Sequence, residues 1–79
     1  MSVTHRLTGY DRITRALAFE YDVPRVAMYL ARELAGVGPG DPDMLSVYVL
    51  SGDRATRLGR AMEKVLNTGR FEWRLEPVR

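Results

Sequence analysis

The corner at Asp22-Val23-Pro24 constrains this chain more than any other feature, because one apolar pattern stops there and another begins at once. Proline fixes its own φ and donates no N–H, so it fits the first turn of a helix and not its interior. Before the corner, Tyr10, Ile13, Leu17 and Tyr21 recur at spacings of three and four. With Ala16 and Ala18 among them, the spacing predicts a helix over 10–21, opened at Thr8-Gly9 with Asp11 in its first turn. A rival pattern runs through the same residues. Ile13, Leu17, Phe19, Tyr21 and Val23 fall on alternate positions, as in a strand, with Arg15 breaking the series. After the corner, Asp22 can cap a second helix in which Val26, Ala27, Leu30 and Leu34 share one side. Met28, Ala31 and Ala35 form a small-residue strip on its other side, flanked by Arg25 and Arg32. A helix apolar on two sides is either sandwiched in a core or keeps one face for a partner, and that strip could seat a second copy of the chain.

The rest of the chain supplies strands. Val3, His5 and Leu7 alternate with Thr4, Arg6 and Thr8, a short strand signal. Gly36–Asp43 is a loop in which prolines stiffen the glycines. Met44–Leu50 is apolar on both faces and reads as a central strand. Ser51-Gly52-Asp53 starts a third helix with Ala55, Leu58, Met62, Val65 and Leu66 as its inner face, and Asn67-Thr68-Gly69 ends it. Phe71, Trp73 and Leu75 then alternate with Glu72, Arg74 and Glu76 in a closing strand whose apolar side faces the helices. The strand–helix–strand of this second half is long enough for a parallel, right-handed crossover. The expected fold is a single α+β domain, residues 1–79, in the order β-α-α-β-α-β: a two-to-three-stranded sheet with helices on one face.

Composition narrows the chemistry. A chain of 79 residues buries only about 60–65% of its unfolded surface, so each large apolar residue matters. With no cysteine, neither a disulfide framework nor a thiolate metal site can form. No apolar run approaches the roughly 20 residues that span a bilayer, and no signal-peptide core opens the sequence, so a cytoplasmic protein is expected. The net charge of +2 is too small to imply nucleic acid. The ratio of eleven Arg to one Lys suits bidentate contacts to phosphate or carboxylate, although a GC-rich genome would also produce it.

Catalytic equipment is missing. His5 is the only histidine, so no zinc site or His-activated nucleophile can be assembled within one chain. Glu20, Glu33 and Glu63 would need an enclosed pocket, which a domain of this size seldom has. Asp41-Pro42-Asp43 lacks the further oxygen ligands of a Ca²⁺ or Mg²⁺ site, and turn or capping roles suit it better. Gly36–Gly40 lacks the Gly-Lys-Ser/Thr ending of a phosphate loop. No cofactor, metal or catalytic residue is expected.

Two surfaces could bind a macromolecule. Arg57, Arg60 and Lys64 fall in a narrow arc of the third helix opposite its apolar face, with Arg54 at the edge; this one-signed stripe suits phosphates or an acidic protein surface. The second is the outer face of the second helix, Arg25, Met28, Tyr29 and Arg32, of residue types enriched in interface cores. Together they predict a non-catalytic module that docks a preformed basic and aromatic surface on a larger protein or nucleoprotein, as adaptor or inhibitor. In size and want of catalytic groups, though in no motif, the chain is similar to the phage-encoded anti-CRISPR inhibitors of bacterial defence. Residues 16–34 also resemble a helix-turn-helix DNA reader, with Ala18 inside the first helix, Val23 after the turn, and Met28 and Leu30 in the recognition helix. That resemblance implies Pro24, Arg25, Ala27 and Tyr29 at the major groove. It departs from the motif at Asp22, where a turn glycine is usual, and at Arg32, where an aliphatic is usual.

Overall fold

The computed structural model describes residues 4–78, in the order β1 (Thr4–Asp11), β2 (Leu17–Asp22), a 3₁₀ turn (Arg25–Ala27), α1 (Met28–Ala35), β3 (Tyr48–Leu50), α2 (Gly52–Ala61) and β4 (Phe71–Val78). The four strands form one antiparallel sheet, ordered β2-β1-β4-β3, and the helices lie on one face of it. The long central pair, β1 with β4, runs from Thr4 opposite Val78 to Asp11 opposite Phe71. Period-two patterning explains this directly. His5 and Leu7 on β1, and Phe71, Trp73 and Leu75 on β4, are buried on the helix side, while Glu72, Arg74 and Glu76 lie on the other. Val3 of the expected first strand lies outside the described residues.

Residues 17–22 are strand, which corrects the expected helix over 10–21. β1 and β2 are a hairpin whose turn is built on Asp11: its carboxylate accepts the N–H groups of Ile13 (2.8 Å) and Thr14 (3.0 Å). Arg15, the residue that breaks the alternating series, sits in that turn at φ 66°. The interruption therefore marks the hairpin end rather than the wrong period. Asp22 accordingly caps nothing: it ends β2 and accepts from Arg6 Nε at 3.1 Å. The 3₁₀ turn after Pro24 buries Ala27 and leaves Val26 exposed, contrary to expectation, and leads into α1, which buries Ala31 and Leu34. Ala31 of the small-residue strip is fully buried, with Met28 and Ala35 packed against the same core, so the strip faces inward.

Met44–Leu50 is not a central strand. Only Tyr48–Leu50 pairs, at the sheet edge, and Met44 sits in the loop at φ 52°, where it plugs the core beside His5. The His5 ring, buried, is 2.9 Å through Nε2 from the Met44 carbonyl, which pins this loop to β1. Asp41 shapes the loop further: its carboxylate accepts the N–H groups of Leu45 (2.8 Å) and Ser46 (3.1 Å) and the Tyr48 hydroxyl (2.5 Å). These donors hold its pKa down at about 2, the Tyr48 hydroxyl contributing most.

Ser51 caps α2 through its hydroxyl, which accepts the Arg54 N–H at 3.3 Å. The helix is shorter than its apolar pattern, ending at Ala61 in a Schellman arrangement. Glu63 takes the left-handed position (φ 58°), with Glu63 N–H on the Arg60 carbonyl and Lys64 N–H on the Gly59 carbonyl. Val65 is therefore exposed instead of lining the inner face, while Leu66 folds back over Gly59, where a Cβ would meet its Cγ at 2.8 Å. The connection from α2 returns to the end of the sheet it left, so that Leu50 pairs with Trp73. This makes β3 and β4 antiparallel, where a parallel crossover was expected. The chain is thus α+β as expected, with a fourth strand in place of the first helix.

Candidate binding surface

α2 carries the basic residues that define the site. Ala55, Leu58 and Gly59 turn into the core, which puts Arg57 and Arg60 on the opposite side and Arg54 at the margin, all three exposed. Among the described residues none of these guanidiniums forms an ion pair. Lys64 is not on this stripe. The Schellman turn takes it off the helix axis, and its Nζ lies 4.6 Å from the centroid of the Tyr21 ring on the helix-facing side of the sheet.

α1 extends the surface. Tyr29 is 78% exposed, and Glu33 follows one helical turn later on the same face. Glu33 and Leu34 share a shallow depression of about 290 Å³ with Arg54 and Arg57, so the outer faces of the two helices are continuous. Arg25 is exposed at the 3₁₀ turn. The other two residues expected here have structural work: Arg32 Nη2 donates to the Pro42 carbonyl at 2.6 Å, and Met28 is half-buried against the core. The contribution of Glu33 was not evident from spacing, because it depends on how α1 and α2 cross.

The opposite side of the sheet is polar too, but differently. Arg6 bonds Glu20 (2.6 Å) and Asp22 (3.1 Å), and Arg74 bonds Glu72 (2.7 Å) while stacking 4.5 Å over the Tyr10 ring. Glu76 accepts the hydroxyls of Thr8 and Tyr10, and that carboxylate raises the Tyr10 pKa chiefly through the hydrogen bond. The polar alternation along β1 and β4 was the available signal for this network. Among the described residues no cluster of three or more His, Asp or Glu could hold a metal ion, and no helix is long and apolar enough to cross a membrane.

A family model described as a domain of unknown function, DUF7683, matches residues 4–76, which takes in both helices and all of the sheet but the last two residues of β4. The chain belongs to that family. No curated protein and no solved structure matches it. The match covers the sheet and both helices together, so the continuous α1–α2 surface lies wholly within the family's domain.

Proposed function

We propose that this domain is a non-catalytic binding protein, an adaptor or inhibitor, that docks its α1–α2 face on an acidic surface of a larger protein. One observation carries the reading: Arg54, Arg57 and Arg60 stand exposed with no ion-pair partner among the described residues, beside an exposed Tyr29. Arg and Tyr are the side chains that most often anchor interfaces, because each combines a flat apolar body with directional donors. The face belongs to two capped helices fixed to a sheet, so little ordering is needed on binding. An inhibitor of the anti-defence kind fits the same surface chemistry. The helix-turn-helix alternative loses its first helix, since residues 17–22 are strand.

The test is site-specific photo-crosslinking in cells that express the protein, with the probe at Tyr29 or Arg57 and, as a control, at Glu72 on the sheet's other face. A discrete protein adduct from the first two positions, abolished by Arg54→Glu with Arg57→Glu, is the expected outcome. Adducts from Glu72 alone would overturn the assignment. Salt-sensitive binding of free duplex DNA, abolished by the same reversals, would replace the protein partner with nucleic acid.

A further inference from the structure

We infer that the hollow between α1 and α2 receives one carboxylate side chain from an acidic peptide segment of the partner. Arg54 and Arg57 hold that carboxylate, and Glu33 accepts an N–H of the same segment. The inference rests on the docking face proposed above and says what that face reads.

The hollow has opposite charges on its two walls. Arg54 and Arg57, one turn apart, stand on the α2 side, and Glu33 stands on the α1 side. The buried Leu34 adds an apolar patch to the lining. Among the described residues Glu33 forms no ion pair with either guanidinium. The two helices are fixed by the burial of Leu34, Ala55 and Leu58, so they hold these charges around an open space. A group that spans the walls must bring an anion to one and a donor to the other.

Charge decides which anion. Two guanidiniums and one carboxylate leave a single positive charge in excess, which one carboxylate cancels with bidentate hydrogen bonds. A phosphate ester carries about −1.5 to −2 at neutral pH, so its surplus would face Glu33. A nucleic-acid backbone brings no donor to Glu33 and sets further phosphates beside it. Peptides bring a backbone N–H at every residue but proline. Size excludes a free metabolite: at about 290 Å³ and shallow, the hollow falls short of the roughly 300–1,000 Å³ that encloses a small ligand. It suits a side chain still attached to a larger molecule.

Tyr29 adds the apolar half of the recognition. It is exposed one turn before Glu33 on the same face, about 6 Å along the helix axis. An extended peptide repeats side chains on one side about every 6.8 Å. A segment with an apolar residue two positions from its acidic one therefore covers both the hollow and the Tyr29 ring.

The test is an NMR titration of isotope-labelled protein at neutral pH with the blocked peptide acetyl-Leu-Ser-Glu-Ser-Leu-amide. The same peptide with Gln or phosphoserine in place of Glu provides the comparison. The amide resonances of Glu33, Leu34, Arg54 and Arg57 are expected to shift with the Glu peptide and not with the Gln peptide. The phosphoserine peptide should bind more weakly than the Glu peptide. Arg54→Ala should weaken the Glu peptide about tenfold, the scale of one charge-assisted hydrogen bond. Glu33→Gln removes the discriminating charge and should reverse the order of the Glu and phosphoserine peptides. Both positions are exposed, and amide dispersion in the same spectra verifies that each variant is folded. No shift at these four residues would overturn the inference, as would an equal response to the Gln peptide. So would a preference for phosphoserine in the unmodified protein, or an order indifferent to Glu33→Gln. Protein adducts at Tyr29 and Arg57 without a carboxylate response would retire this inference alone. A carboxylate response without adducts would retire the docking reading and leave the carboxylate site standing.

Discussion

The two polar sides of this domain use the same residue types to opposite effect. On the open face of the sheet, Arg6 pairs with Glu20 and Asp22, Arg74 pairs with Glu72, and Glu76 accepts two hydroxyls, so every one of these six side chains has a polar partner. On the helix layer, Arg25, Arg54, Arg57 and Arg60 are exposed, and none of them forms an ion pair among the described residues. A network of this kind closes a surface, since each group already has its partner. Guanidiniums left in water keep their donors available. The lesson is that a charge count identifies neither face; what separates them is whether the strand register or helix crossing supplies a partner.

If the sheet is the fixed half of the molecule, disturbing it should cost most. Gly9 lies beneath the Trp73 indole, where an added Cβ would come within 2.8 Å of the ring. Trp73 cannot easily give way, being buried, with its Nε1 donating to the Asn67 carbonyl at 3.1 Å. Gly9→Ala is therefore expected to destabilise the fold by about 1–3 kcal/mol in urea unfolding, the usual range for overpacking. A neutral result would mean that the ring is free to move. Glu76→Ala removes one acceptor from two hydroxyls, those of Thr8 and Tyr10. Thr8 is buried but retains the Arg74 carbonyl as an alternative acceptor at 3.3 Å, so the expected loss is about 1 kcal/mol. The same variant should return the Tyr10 pKa towards its ordinary value, read by absorbance titration.

The loop between the layers has its own signature in acid. Asp41 has its pKa depressed to about 2 in the fold, against 3.8 for the free side chain. A depressed carboxylate contributes stability that is complete above its unfolded pKa and disappears as pH falls through the folded value. Stability should therefore decline between about pH 4 and pH 2, and less steeply in Asp41→Asn. Its surface position keeps the effect modest, because solvent screens it. An unchanged slope would show that Asp41 does not organise the loop.

Glu63 marks the junction with the helix layer. It occupies the left-handed position that ends α2, as Gly36 does at the end of α1 with φ 68°. Glu63→Gly should relieve the strained backbone and stabilise the domain by about 0.5–1 kcal/mol. A loss of stability would mean that the Glu63 side chain makes a contribution larger than its strain.

Much of this layout was legible, and the misses share a cause. The alternation of Phe71–Glu76 predicted β4 and its inward face, and Ser51 marked the start of α2, because both signals are local. The helix expected over 10–21 failed because Ile13, Leu17 and Tyr21 are four apart by coincidence of a hairpin: Ile13 is in the turn and Leu17 begins the return strand. Met44–Leu50 looked doubly apolar because Met44 fills the core from a loop while Val47 and Val49 are exposed. Lys64 left the basic stripe because the chain turns at Glu63, a residue with no special claim to a positive φ. In each case long-range contacts or a non-glycine turn overrode a local pattern.

The smallest expected effect on stability is also the sharpest test of the contrast between the faces. Arg57→Glu with Arg60→Glu reverses two exposed charges that have no ion-pair partner among the described residues, and surface changes of this kind stay within about 0.5 kcal/mol. Its sign is slightly unfavourable, since carboxylates near the C-terminal end of α2 oppose its macrodipole. Arg6→Glu on the sheet face instead sets a third carboxylate beside Glu20 and Asp22, at positions the ladder fixes opposite one another. Unfolding measured at low and high salt separates the two. The sheet reversal should be destabilising and partly rescued by salt, and the helix reversal nearly indifferent to it. Equal salt sensitivity would mean that the α2 guanidiniums are engaged within the domain, and the case for an available docking face would fall with that result.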